Sequence, residues 1–315
     1  MRFIALEEHV LPKDVAADIG IDPASLLGKA DEAADLDRRR LEIMDAAGVD
    51  MQVLSAIGRA TQHLEPAHSL AVSRDLNDRM AAAVAAHPDR FRFFATLPMS
   101  DPDASAEELS RAALQLGCVG AMIHGQTRGA FLDDPSVEPV LAAAERLNLP
   151  IYLHPAPPPS SVREAYYSDL PPGIADALAT FAWGWHAECG MHVLRLVVNG
   201  IFERHPGLRL IVGHMGENLP FSLARADGRL SPLTGLSTSV ADTVREHVYV
   251  TTAGYTTVPP LLCAVMVLGV DRIMFSVDYP FSDSSEATAF LRDAPLCPAD
   301  KEKIAHGNAE QLLRL

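Results

Sequence analysis

The sequence predicts an α/β fold, a (β/α)8 barrel of the TIM type, distorted by long loops after its first and fifth strands. Two observations carry this reading. Short apolar, β-branched segments alternate with stretches of helical periodicity along the whole chain. Ionisable residues also gather at the C-terminal ends of several of those segments, the rim on which the side chains of a barrel converge. The 315 residues suit a single barrel domain, 1–315, with a doubly wound open sheet as the competing arrangement.

Eight strands are expected, at 3–9, 50–57, 90–97, 118–124, 150–154, 209–214, 248–252 and 272–278. Helical patterns fill the gaps. Residues 31–47 place Leu36, Leu41, Met44 and Ala47 at helical spacing and stop at Gly48. Ser105 and Glu108 have the form of a capping box opening a helix that ends at Gly117. Further helices are expected at 66–86, 134–147, 186–204, 217–228, 258–268, 284–293 and from 299 onward. Residues 10–30 and 155–182 exceed a minimal barrel, and both follow strands, so they are candidates for a substrate cover.

Composition excludes several functions. A net charge of −15 argues against nucleic acid, whose binding needs a basic face. No apolar run is long enough for a bilayer, and the start of the chain lacks the pattern of a secretory signal, so a cytoplasmic protein with no membrane partner is expected. The four cysteines are scattered without a C-x-x-C pair and read as buried thiols. No lysine occurs between Lys29 and Lys301, which excludes a mid-chain Schiff-base or carboxylated lysine.

The candidate site is assembled from strand ends: Glu7 and His9 on strand one, His124 on four, His154 on five, His214 on six and Asp278 on eight. Side chains alternate along a strand, so Glu7 and His9 share a face and Glu8 takes the other, in a structural role. Glu7, His9, His154 and Asp278 are a sound nitrogen and oxygen set for one divalent ion such as zinc or manganese. A lone strand-end histidine is more often an ordinary hydrogen-bonded residue. The gathering of several on one rim points to a metal site. His186 and His192 fall on a predicted helix, where packing or hydrogen bonding is expected.

The runs ALEEH, YLHP, GHMGENLP, FSVDYPF and the C-terminal HGNAEQLLRL resemble the decarboxylase branch of the amidohydrolase superfamily, in particular the γ-resorcylate (2,6-dihydroxybenzoate) decarboxylases and the wider group around aminocarboxymuconate-semialdehyde decarboxylase. The resemblance implies a single manganese or zinc ion on Glu7, His9, His154 and Asp278, with no organic cofactor. It implies that His214 and Glu217 act beside the metal or on the substrate, and that Arg225 lies near the site. Reversible, non-oxidative decarboxylation of a hydroxybenzoate-type acid is the expected reaction, with a small aromatic carboxylate as partner and a homo-oligomer, dimer or tetramer, as the assembly. In that chemistry Asp278 delivers a proton to the ring carbon bearing the carboxylate. His124 departs from the family, which carries asparagine there, and this bears on which ring substituents are accepted. Trp183, Trp185 and Phe281 are candidate walls of the ring pocket. The alternative on the same residues is a metal-activated water hydrolysing or hydrating a small carboxylated lactone, ester or amide.

Overall fold

The computed structural model describes residues 1–57 and 61–315. Its strands are β1 (Ile4–Val10), β2 (Met51–Ala56), β3 (Phe91–Phe93), β4 (Ala95–Thr96), β5 (Ala121–His124), β6 (Ile151–His154), β7 (Leu210–Val212), β8 (Val248–Thr251) and β9 (Ile273–Met274). Each is parallel to its neighbours, in the orders β1-β2-β3 and β4 through β9. The expected third strand is one bent segment serving both runs: the Phe94 N–H donates to Leu54 O, and the next N–H, of Ala95, donates across the bend to Gly120 O. At the other seam Glu8 forms a parallel bridge with Tyr279, and the His9 N–H donates to Tyr279 O at 2.7 Å. The architecture is the (β/α)8 barrel.

The periodic helices form where they are expected: Pro66–Ala86, Val258–Leu268 and Ser284–Asp293 match, and Gly48 closes Arg38–Ala47 in the left-handed conformation. The expected capping box at Ser105 is corrected. That helix begins at Pro102, with the Asp101 carboxylate accepting from the Ala104 N–H, because proline at the first turn is pre-set for a helix and needs no donor. Ser105 and Glu108 are buried inside the helix, where Glu108 takes Asn77, Arg74 and Arg111. Val240–His247, capped by Ser239, is a helix that the apolar pattern did not suggest. The two long loops also fold locally, with helices Lys13–Asp18, Ser160–Tyr167 and Pro172–Ala179.

A bulge in β1 decides which side chains face the axis. Ile4 and Leu6 pack in the barrel interior with Met51, Val53, Phe94, Met122, Tyr152, Ile211 and Met274, whereas Phe3 and Ala5 pack outward against the helices. Strict alternation would therefore turn Glu7 and His9 outward. The register runs Ala5 to Gln52 and then Glu8 to Leu54, so β1 carries one extra residue there. The faces exchange and both site residues turn inward.

Glu8 points into the wall and ties it together. Its carboxylate accepts from Gln52 Nε2, the Val277 N–H and Ser276 Oγ, and Gln52 in turn accepts from buried Arg40, which also donates to His9 O at 2.6 Å. Burial pushes the Glu8 carboxyl up to about 8, against the opposing pull of Val277 and Arg40. An unfolded glutamate titrates near 4.5, so between about 4.5 and 8 the folded chain holds a proton that the unfolded chain has released. The contribution to stability is complete below that window and is lost as pH rises through it. The urea midpoint should fall across the window, and Glu8→Gln should flatten the slope; an unchanged slope would remove Glu8 as its source.

Candidate active site

Glu7 sits on the barrel floor, completely buried. Tyr152 Oη donates to its Oε2 and also meets Thr251 Oγ1 at 2.9 Å. Burial keeps the Tyr152 phenol protonated, well above its ordinary range, so it remains a donor. Gly213 is required beside it, since a Cβ there would come within 2.6 Å of Glu7 Oε2. The other oxygen, Oε1, faces three imidazoles: His154 Nε2 at 3.0 Å, His9 Nε2 at 3.8 Å and His214 Nε2 at 4.0 Å. Asp278 closes the ring, with Oδ1 3.3 Å from His9 Nε2 and Oδ2 3.7 Å from His214 Nε2.

The donor set fits a divalent cation. Glu7 Oε1 is buried and accepts no hydrogen bond among the described residues. His154 Nδ1 lies 2.7 Å from Pro155 O, a group that can only accept, so Nδ1 carries a proton. Its ring Nε2 faces Glu7 Oε1 at 3.0 Å, and a ring without a second proton would set two lone pairs face to face. A proton or a cation must lie between them. Candidate donor atoms of Glu7, His9 and His154, and likewise of Glu7, His214 and Asp278, lie within 4.8 Å of one another. Donors on one zinc, each about 2.0–2.2 Å from it, are separated by roughly 3–4.4 Å.

His214 and Glu217 come from an unusual turn. His214, Met215, Gly216, Glu217 and Asn218 all have positive φ, between 49° and 88°. A non-glycine residue held there costs of order 1 kcal/mol or more, so the surroundings must impose the conformation. The turn delivers Glu217, 1% exposed, onto His214 Nδ1 at 2.7 Å. Burial alone would lower His214, but the carboxylates of Glu217 and Glu7 outweigh it and hold the ring well above the usual histidine range. Burial would raise Asp278, yet its hydrogen bonds with His214 and His9 hold the carboxyl well below the usual range.

These groups open into a cavity of about 670 Å³. Both long loops line it, the first through Ile21, Ser25, Leu26 and Leu27 and the second through Pro155–Pro157, Thr180 and Phe181. Trp185 and Phe281 line it as well. Trp183 does not: it is 54% exposed at the start of the helix Gly184–Val198. Arg225 is exposed and is not among the described residues that line the cavity. Leu223 is the buried residue of that stretch, and two positions further round a helix points to solvent. His124 is paired with His154 in register, their rings 4.6 Å apart, and Gln62 brackets its backbone through both N–H and C=O. His186 is a site residue that the sequence reading passed over. It lines the cavity, with Nδ1 2.5 Å from Glu217 Oε2. Its helical position matched an ordinary packed histidine, and nothing in the sequence pairs it with Glu217.

The chain belongs to the amidohydrolase family, whose model matches residues 9–315. It is 35% identical to the γ-resorcylate decarboxylase of Rhodococcus jostii (strain RHA1), over 99% of this chain and 98% of that protein. The crystal structure of 2,6-dihydroxybenzoate decarboxylase complexed with 2,6-dihydroxybenzoate superposes with a TM-score of 0.92 at 33% identity, covering 100% of both chains. The dihydroxybenzoic acid decarboxylase of Polaromonas sp. JS666, with bound manganese and the inhibitor 2-nitroresorcinol, gives 0.91 at 33% identity, covering 100% of this chain and 97% of that one. The chain is thus an enzyme, a carbon–carbon lyase of the amidohydrolase superfamily.

Two substitutions separate the roles of the paired glutamates. Glu7→Gln should abolish stoichiometric manganese or zinc in the purified protein, measured by elemental analysis, while Glu8→Gln retains it. Tyr152→Phe removes the hydrogen bond that orients Glu7 and should weaken metal affinity about 10–100-fold. Full metal in Glu7→Gln would remove this carboxylate from the ligand set.

Proposed function

We propose that the chain catalyses the reversible, non-oxidative decarboxylation of a hydroxybenzoate-type aromatic acid, with one manganese or zinc ion held by Glu7, His9, His154 and Asp278. The observation that carries this reading is Glu7 Oε1, buried without a hydrogen bond among three imidazole nitrogens beside a cavity with largely apolar walls. Held there, the ion would supply a Lewis acid that lowers the proton affinity of the substrate's oxygen groups. The relatives named above, which act on or bind dihydroxybenzoates and their analogues, support the same substrate class.

The protein's own groups handle the proton. His214 Nε2 faces Asp278 Oδ2 across 3.7 Å and is placed to share the proton that the Asp278 carboxyl delivers. Asp278 places that proton on the ring carbon bearing the carboxylate. The electrons of the carbon–carbon bond then return to the ring as CO2 leaves. Ile21, Leu26, Ile57, Trp185 and Phe281 wall the ring and keep water away. His124 and Arg225 are assigned to the substrate's substituents; His124 stands beside His154, and neither is among the described residues that line the cavity of its own chain.

The same proposal includes a cytoplasmic single-barrel enzyme, supported by four free cysteines, that associates with further copies of itself. Phe221, Leu233 and Met266, each more than 80% exposed on helices Leu219–Thr234 and Val258–Leu268, supply apolar surface for that contact. Light scattering of the purified protein should therefore give a mass of two or more chains.

The deciding experiment incubates metal-loaded protein with a panel of hydroxybenzoates and scores CO2 against hydrolysed or ring-opened product. CO2 release is expected, and Asp278→Asn should lower kcat by about 10²–10⁴-fold. Turnover of esters, lactones or amides with no CO2 from any aromatic acid would overturn the decarboxylase reading in favour of a metal-activated water.

A further inference from the structure

We infer that His186 is a positioning residue for His214, acting through Glu217; the inference rests on the proton-handling role proposed for His214. Glu217 is held between two imidazoles, with Oε1 2.7 Å from His214 Nδ1 and Oε2 2.5 Å from His186 Nδ1. All three side chains are buried, and the two rings stand 4.7 Å apart at 66°.

The direction of the hydrogen bonds follows from the partners. Trp185 Nε1 lies 3.0 Å from His186 Nε2, and an indole N–H only donates. Phe181 O, also 3.0 Å from Nε2, only accepts, so a neutral ring satisfies one of the two. Nδ1 faces a carboxylate, the stronger acceptor, and the ring proton belongs there. His186 Nδ1–H therefore donates to Glu217, and Nε2 accepts from Trp185. The helix Gly184–Val198 is pressed onto this turn, since a Cβ on Gly190 would lie 2.6 Å from Glu217 O.

The consequence is mechanical. A carboxylate anchored through one oxygen can rotate about its terminal torsion, which is broad and soft. Anchored through both, Glu217 fixes the plane of His214 and aims its Nε2 at Asp278. His186 supplies the second anchor. Because Phe181 and Trp185 also line the cavity, the residues that would meet the ring are tied to the pair that moves the proton.

Three substitutions test this in the metal-loaded enzyme. His186→Leu removes the donor and should lower kcat about 10–100-fold, with KM, metal content and Tm close to wild type. His186→Asn places an amide N–H where Nδ1 stood and should recover most of kcat; if the leucine variant folds poorly, alanine against asparagine gives the same comparison. In proton NMR of the zinc-loaded protein without substrate, both Nδ1–H groups should resonate far downfield. His186→Leu should remove one signal and move that of His214. An unchanged kcat together with an unmoved His214 signal would overturn the inference. A moved signal in a protein that releases no CO2 would instead leave the anchor standing and defeat the decarboxylase reading.

Discussion

The structure turns on one buried carboxylate. Glu7 gives one oxygen to Tyr152 and leaves the other among nitrogens of His9, His154 and His214. An ionised carboxylate in a dry interior is tolerated only when positive charge offsets its lost hydration. Burial would raise Glu7, yet His214 and His154 outweigh it and hold the carboxyl below its ordinary range. The histidines, the tyrosine beneath and Gly213 beside it are each explained by that one charge. A cation is the compact way to answer it, because it replaces facing lone pairs with coordinate bonds.

Much of the backbone strain lies near this group. The left-handed turn from His214 to Asn218 is held by contacts that admit no side chain: Gly213 against Glu7, Gly190 against Glu217 O, and Gly216, whose Cβ would lie 2.9 Å from Pro220. Asp278, with φ of 73°, joins His214, Met215, Glu217 and Asn218 as a non-glycine residue in that region. Gly254 leaves room for both, since a Cβ there would be 3.3 Å from Asp278 Oδ2 and from His214 Cδ2. Strain gathered around reacting groups is what pre-organisation looks like in a backbone.

Much of this was legible in the sequence, and the exceptions have physical causes. Period and composition identify the strands and most helices because burial acts on side chains one at a time, and they place His9 and His154 within strand ends, whereas β7 and β9 stop at Val212 and Met274 and leave His214 and Asp278 on the segments beyond. The inward turn of Glu7 and His9 holds for a reason that pattern does not contain, the extra residue in β1. Asp101 displaced Ser105 as a cap because two good starts stood four residues apart and proline favoured the earlier. His186 was invisible as a site residue because its partner Glu217 lies 31 positions away, on a turn whose backbone no periodicity encodes. Arg225 is exposed on its helix, so its place near the site rests on family likeness alone.

The seam between the first and last strands also gives the site an order of assembly. Glu8 meets the Val277 N–H across 269 positions of sequence, and Asp278 follows directly. Glu7, His9 and His154 thus belong to an open sheet until the segment from Val277 to Tyr279 meets β1. Three ligands can capture an ion weakly, but the closed cage is a property of the finished ring. The complete donor set is therefore a property of the closed ring and of neither end of the chain alone.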